Sequence, residues 1–421
     1  MGRERKEMRK HSVWLVLLLV LCLAGCATTQ PVKSSWNSAA YDAEYLTAYF
    51  GIKPFAAVVD GKSYDAAMLA VSGEDFVDEA SFTPLSAVVS AVKASSLDEL
   101  AQTYSDKKAL KRVKGLSVSG DDAKYLACAL DAGLVCPSHA KEIAASSSLS
   151  SAAATELVMA VAGANGKGPN ALGYSDDADI EAKLANAFSQ VELYRNDELD
   201  AIGAKLVETK VSTGYNLKKT TDSARFLPSL TLRYGHDSGV HAKQLIALLN
   251  SEDIRVRIQI EPKTSIYQYL LEWGPVPEPS PNYRVEKYSD DLYLVYATEY
   301  DMEMEFASAE DLKAFNAVME KYSKKNDANQ KEGSGVKLIS GAWWQPLYSA
   351  TFNPSESDYK LIYDNVLTSA DGAYSIHPFS LPEGKDALEA KEAELSGRSA
   401  VAEKRYVNNA FYRYLTGEDH Q

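Results

Sequence analysis

The chain has 421 residues, with 44 Lys and Arg against 58 Asp and Glu, for a formal net charge of −14. A surface this acidic excludes nucleic acid as an expected partner, because phosphate binding needs clustered cations. With 46% hydrophobic residues the chain has material for real cores, and a length of this order implies about two or three domains.

The N-terminus opens with Arg3, Arg5, Lys6, Arg9 and Lys10. An apolar run from Val13 to Leu23 follows and ends in small residues before Cys26. A basic stretch, a short apolar stretch and small residues in that order describe a secretory signal. The run is short of the roughly 20 residues that a bilayer span needs. Leu23-Ala24-Gly25-Cys26 resembles the lipobox of bacterial lipoproteins. The resemblance implies a signal peptide of residues 1–25, cleavage before Cys26, and acylation of that cysteine, palmitate included. It also implies an extracytoplasmic protein anchored by lipid to the cell membrane or outer membrane. Ala27 in place of an aspartate favours the outer membrane where the host has one. Residues 1–25 carry five bases and two acids, so their removal takes the net charge from −14 to −17. Residues 26–40 show no hydrophobic periodicity and suit a lipidated tether.

Cys22 leaves with the signal and Cys26 carries lipid, so Cys128 and Cys136 remain, in "YLACALDAGLVCPS". An oxidising envelope allows a disulfide between them, and two buried free thiols are the alternative. With no neighbouring histidine pair, the two cysteines do not compose a zinc site.

Residues 41–210 read as helical. "YSD" recurs at Tyr104-Ser105-Asp106 and Tyr174-Ser175-Asp176, a period of 70 residues. "FTPLSAVVSAVKASSLDEL" and "SSLSSAAATELVMAVAGANG" each run from a polar start through an apolar-faced helix into a turn. Tyr125, Leu126, Ala129 and Leu130 stand at helical spacing, and Gly133 stops the helix. Together with Ala132-Gly133-Leu134-Val135, this order resembles S-layer homology modules across residues 40–195. The resemblance implies a helical repeat architecture and wall-linked polysaccharide as a partner. The arginine-bearing stretch with which that family helps hold its glycan reads "LSSAAATE" at 149–156, without an arginine. The first unit, "FTPLSA", lacks one too.

Residues 211–228 read as a polar linker, and 229–421 as an α+β domain. "LTLRY" alternates as a strand, and "SGVHAKQLIALLNSE" places Leu245, Leu248 and Leu249 on one helical face. In "IRVRIQIE" Ile254, Val256, Ile258 and Ile260 point one way, and Arg255, Arg257, Gln259 and Glu261 the other. Strand, helix and strand at this spacing describe a βαβ crossover or a close relative. The unit resembles the core of transglutaminase-like proteins, in which a cysteine opens the helix. That position falls at Val240 or His241, so the resemblance implies the fold without its nucleophile.

His236 and His241 flank the helix start with Asp237 and Lys243 nearby. Two ligands align on a helix face at i,i+4, and these are five apart. The plain expectation is that Asp237 or Ser238 caps the helix and that the histidines are its polar neighbours. Asp301, Glu303 and Glu305 alternate along one strand face, as a carboxylate cluster or as a solvated surface. Ser308 and Asp311 start a helix over 308–325. Trp343, Trp344 and Tyr348 form an aromatic stretch that suits a sugar or peptide ligand, with one tryptophan turned to the core. Residues 386–415 read as one or two closing helices.

The sequence thus describes a multidomain α+β protein with a mainly α-helical first region and a C-terminal α+β domain. The leading function is a non-enzymatic lipoprotein that binds or scaffolds in the cell envelope, in contact with wall polysaccharide or envelope proteins. One alternative is an envelope hydrolase or metal-dependent enzyme near His236, Asp237 and His241 with a carboxylate from Asp301, Glu303 or Glu305. Another is a small-ligand binding lipoprotein using Trp343, Trp344 and Tyr348. No nucleophile elbow, HExxH or phosphate loop is present, and no cofactor is expected.

Overall fold

The computed structural model describes residue 36 and residues 38–236, 238–323 and 346–418. Helix and strand are mixed, in two packed bodies. The first is helical: α1 (Ala39–Phe50), α2 (Gly61–Ser72), α3 (Pro84–Ala94), α4 (Asp98–Gln102), α5 (Asp106–Arg112), α6 (Gly120–Asp131), α7 (Pro137–Ala145) and α8 (Ser151–Ala164). A short antiparallel ladder joins β1 (Val58–Val59) to β2 (Leu149–Ser150). Small and β-branched side chains let these helices approach closely around Met68, Val88, Leu126, Leu157 and Val161. Thr83 and Ser86 form a reciprocal capping box at the start of α3, with Pro84 in the first turn. Gly133 takes φ 71° just past α6, in the left-handed region that a helix stop requires.

The second body is an antiparallel barrel of eight strands, closed in the order β6-β4-β11-β10-β13-β9-β5-β8 and back to β6. Its strands are β4 (Gly214–Lys219), β5 (Thr231–His236), β6 (Val256–Tyr269), β8 (Tyr293–Phe306), β9 (Tyr348–Ala350), β10 (Tyr359–Thr368), β11 (Tyr374–Ile376) and β13 (Val401–Asn408). Three short strands add to its flanks: β3 (Gly173–Tyr174) on β6, β7 (Tyr283–Lys287) on β8 and β12 (Phe379–Ser380) on β10. The helices α9 (Ile180–Ser189), α10 (Asp197–Glu208), α11 (Gly239–Ser251), α12 (Ala309–Tyr322), α13 (Lys385–Ser396) and α14 (Asn409–Leu415) complete it.

Alternation along the strands sorts the barrel into two faces. Leu232, Tyr234, Ile258, Ile260, Met302, Met304 and Phe306 point outwards under α9, α11 and α12. Tyr215, Leu217, Ile266, Leu294, Leu367 and Ile376 do the same with α10 and α13. The intervening residues face inwards, and many of them are charged. The expected strand–helix–strand unit is present as β5, α11 and β6. Both strands run antiparallel to β8, which lies between them, so they are parallel to one another without pairing.

Several expectations are corrected. Residues 211–228 are not a plain linker, because 214–219 form β4, a wall of the barrel. Within 41–210, β3, α9 and α10 pack with the barrel, since the apolar faces of the two helices need its outer surface. The two YSD copies sit in different local structures. Ser105 caps α5, whereas Tyr174 pairs with Arg257 in the sheet and Ser175 bonds to Val256. Residues 386–415 hold a strand, β13, between two helices. Cys128 and Cys136 are free thiols. Cys128 points into the helical core near the Leu97 carbonyl, while Cys136 caps α7 beside Ser138, so the sulfurs serve different surroundings.

Candidate functional site

The inner face of the barrel gathers buried charge from several strands, here β4, β5, β6 and β8. Lys218 on β4 pairs with Asp301 on β8 and lies 3.6 Å from Glu261 on β6. Lys263 donates to Asp301 at 2.9 Å. Arg233 on β5 pairs with Glu303 and stands 3.7 Å from both Glu261 and Asp301. Glu261 also accepts the Ala224 backbone N–H at 2.7 Å. Burial alone would raise the Asp301 carboxyl, but Lys218, Lys263 and Arg233 hold it well below its ordinary value. Glu303 is shifted the other way: burial raises it, Glu261 and Asp301 add to that, and Arg233 opposes it. The row Asp301, Glu303, Glu305 is therefore buried and salt-bridged rather than a solvated face. Strand alternation marks it as one face, but closure of the sheet turns that face inwards.

Glu305 closes the end of the barrel nearest the helical body. It pairs with Arg257, accepts the Leu227 N–H at 2.8 Å, and accepts the Tyr41 hydroxyl from α1 at 2.7 Å. Trp36 is buried in the same joint, tilted against the Tyr174 ring and under the guanidinium groups of Arg255 and Arg257. Tyr49 donates to the Phe226 carbonyl at 2.6 Å, and Tyr45 to the Lys167 carbonyl at 3.1 Å. The first helix is thus fixed to the barrel by tyrosine hydroxyls.

At the β10–β11–β13 side, Asp364 accepts from Arg405 Nη2 at 2.8 Å and stands 3.3 Å from His377 Nδ1. His377 Nε2 lies 2.7 Å from Ser375 Oγ. In the neutral tautomer whose proton sits on Nδ1 against the carboxylate, Nε2 accepts from the serine hydroxyl. This is the bonding order of a nucleophile, a base and the group that orients the base. Burial would raise Asp364, but His377 and Arg405 keep it far down, so it stays an anion. Ser375 is only 5% exposed, so a carbonyl substrate reaches its oxygen only if the lumen opens. None of Ser375, His377 and Asp364 is singled out by the sequence. The one local signal is the i,i+2 spacing of Ser375 in β11 and His377 just past its end.

The residues singled out from the sequence do not converge. Ser238 caps α11 as expected, accepting from the Val240 N–H at 3.2 Å. His236, however, is no surface neighbour of that cap. It is 6% exposed against the Tyr234 ring, and burial together with the charge of His241 pushes its pKa down to about 3. Its Nε2 has no hydrogen-bond partner among the described residues. Tyr348 is core rather than platform, edge-on to Phe315 and hydrogen-bonded to Asn316. Cys26, Asp237, Trp343 and Trp344 lie outside the described residues.

Two shallow hollows mark the outer surface. One, of about 230 Å³, is lined by Arg195, Asp200, Glu286 and Tyr296. The other, of about 310 Å³, lies between α12 and the chain before β10, at Lys313, Asn316, Glu320, Ser355 and Asp358. Among the described residues one trio of metal-ligating side chains converges, Cys136, His139 and Glu156 on the helical body. No family model, curated protein or solved structure matches the chain.

Proposed function

We propose that the protein is a lipid-anchored extracytoplasmic lipoprotein that binds or scaffolds in the cell envelope without turning over a substrate. The observation that carries this reading is the two-ended shape of the body along β6. Trp36 and α1 seal the end where β6 starts, and Trp36 lies only ten positions after Cys26. Such a tether reaches at most about 36 Å, so an acylated Cys26 keeps that end near the bilayer. Beyond the other end of β6, Leu271 and Trp273 are both 58% exposed and Val276 is exposed beside them. Strand β6 has 14 residues, which at about 3.3 Å each separate the two ends by roughly 46 Å. An apolar tip held that far from a membrane suits contact with an envelope partner. The S-layer homology resemblance adds wall polysaccharide as a ligand of the helical body.

Two measurements test this. In cells, Cys26→Ala should move the protein from the membrane fraction to the soluble one; unchanged fractionation overturns the anchor. In vitro, the whole chain 27–421 is sedimented with purified sacculi, with and without attached polysaccharide. The whole chain is needed, because a cut at the expected linker would sever β4. Saturable pelleting that requires the polysaccharide supports wall contact by the helical body. Pelleting lost on combined Leu271→Ala and Trp273→Ala assigns the contact to the tip. No pelleting at all removes the wall as a ligand.

A second reading, an envelope hydrolase, rests on Ser375, His377 and Asp364. A fluorophosphonate probe that labels the protein but not Ser375→Ala would establish a reactive serine. A protein left unlabelled would leave the chain of hydrogen bonds as internal scaffolding.

A further inference from the structure

Cys136 is the N-cap of α7, and Pro137 occupies the first turn. His139 follows three residues later, which sets its side chain on the same side of the helix start. The third group comes from α8. Glu156 Oε1 accepts the Cys136 backbone N–H at 3.0 Å, and its Oε2 lies 2.7 Å from His139 Nδ1. Cys136 Sγ itself sits 3.0 Å from Ser138 Oγ. One donor atom from each of Cys136, His139 and Glu156 lies within 4.8 Å of the others. Around tetrahedral zinc, with bonds of about 2.0–2.3 Å, neighbouring donors stand about 3–4 Å apart, so small rotations of these side chains suffice.

We propose that Cys136, His139 and Glu156 bind one divalent transition-metal ion, of the zinc class, with a fourth position open to water. The donor set of one sulfur, one nitrogen and one oxygen suits a borderline ion and not calcium or magnesium, which take oxygen. The site is reachable: the side chains of His139 and Glu156 are 26% and 28% exposed. The thiol is available because Cys136 is free. Binding releases the thiol proton of Cys136 to solvent; the neutral His139 ring ligates through Nδ1 with its proton on Nε2, and the ion replaces the hydrogen bond between His139 and Glu156. The ion joins α7 to α8, which the Glu156 carboxylate already bridges. Cys136 and His139 are close in sequence, but Glu156 lies 17 residues beyond His139 and only the fold brings it to them.

The test is a titration of reduced chain 27–421 with Co²⁺, followed by absorbance. One equivalent should raise a thiolate-to-cobalt charge-transfer band in the near ultraviolet and visible bands of a four-coordinate ion, and Zn²⁺ should displace both. Cys136→Ser should abolish the charge-transfer band. His139→Ala and Glu156→Gln should weaken cobalt binding by about tenfold or more. A folded protein that shows no charge-transfer band, or a band that survives Cys136→Ser, overturns the proposal. If Cys136→Ser does not fold, Glu156→Gln decides: an unchanged titration also overturns it.

Discussion

The two bodies of this protein bury opposite chemistry. The helical body closes over Ala87, Ala91, Leu126, Leu157 and Val161 and keeps its ion pairs, such as Arg112 with Asp131, on the outside. The barrel turns its apolar residues outwards under helices and keeps Lys218, Arg233, Lys263, Glu261, Asp301 and Asp364 within. The difference follows from what covers each surface. Helices packed against the outside of the barrel need an apolar wall there, and strand alternation then sends the other residues into the lumen. Charges so placed persist because each has partners of opposite sign and hydrogen bonds besides.

The comparison breaks most readily at Asp301. Asp301→Ala leaves Lys218 and Lys263 buried without their main partner and should cost about 3–5 kcal/mol at neutral pH, read by denaturant unfolding. Because the folded pKa of Asp301 lies below its ordinary value, its contribution is present above that value. It is lost as pH falls through the folded one. The gap between variant and parent should therefore close in acid. A gap independent of pH would show that Asp301 acts through packing and not charge. The matching change in the helical body is Leu157→Ala. It removes only apolar contacts in a fully buried position, should cost about 2–5 kcal/mol, and should carry no pH dependence.

These contrasts also mark what could be read in the sequence. The strict alternation of Ile254 to Glu261 fixed one apolar and one polar face for β6, and both are observed. It could not say that the polar face is inside, because alternation is the same whether a sheet lies open or closes on itself. Closure depends on pairings such as Tyr359 with Asn408 and Gly214 with Tyr267, which join segments far apart in the chain. Strand β4 was hidden for a related reason. "GYNLKK" carries its polar residues towards the lumen, so Asn216 and Lys218 read as linker composition. The helix-start signals at Ser238 and Ser308 were legible because caps are local. The joint between Tyr41, Arg257 and Glu305 was not, since Tyr41 is more than two hundred residues from both of its partners along the chain.

Glu392 on α13 gives a smaller effect of the opposite sign to Asp301. It is fully buried, neither carboxyl oxygen has a hydrogen-bond partner among the described residues, and burial with Glu389 and Asp364 nearby pushes its pKa up to about 8. A raised folded pKa favours the fold below the ordinary glutamate value, and that advantage is lost as pH rises through about 8. Glu392→Gln should therefore be close to neutral in mild acid and stabilising by about 1–3 kcal/mol above pH 8. Thermal melts at the two pH values measure it. Equal melts for variant and parent above pH 8 would show that the carboxylate finds water or a partner once ionised.

The smallest effect is expected at Arg112, and it sharpens the contrast between the bodies. Its side chain and that of Asp131 are 45% and 40% exposed, so the pair works in high dielectric and is screened by salt. Arg112→Ala should cost no more than about 1 kcal/mol, and that cost should vanish near 1 M salt, where the Debye length is about 3 Å. The cost of Asp301→Ala should survive the same salt, because mobile ions do not enter a lumen filled by side chains. If the two costs fall together as salt is added, the barrel interior is wet and its charges are screened like those outside. Unequal salt dependence would show that closure of the sheet, and not the number of ion pairs, sets what a charge contributes in each body.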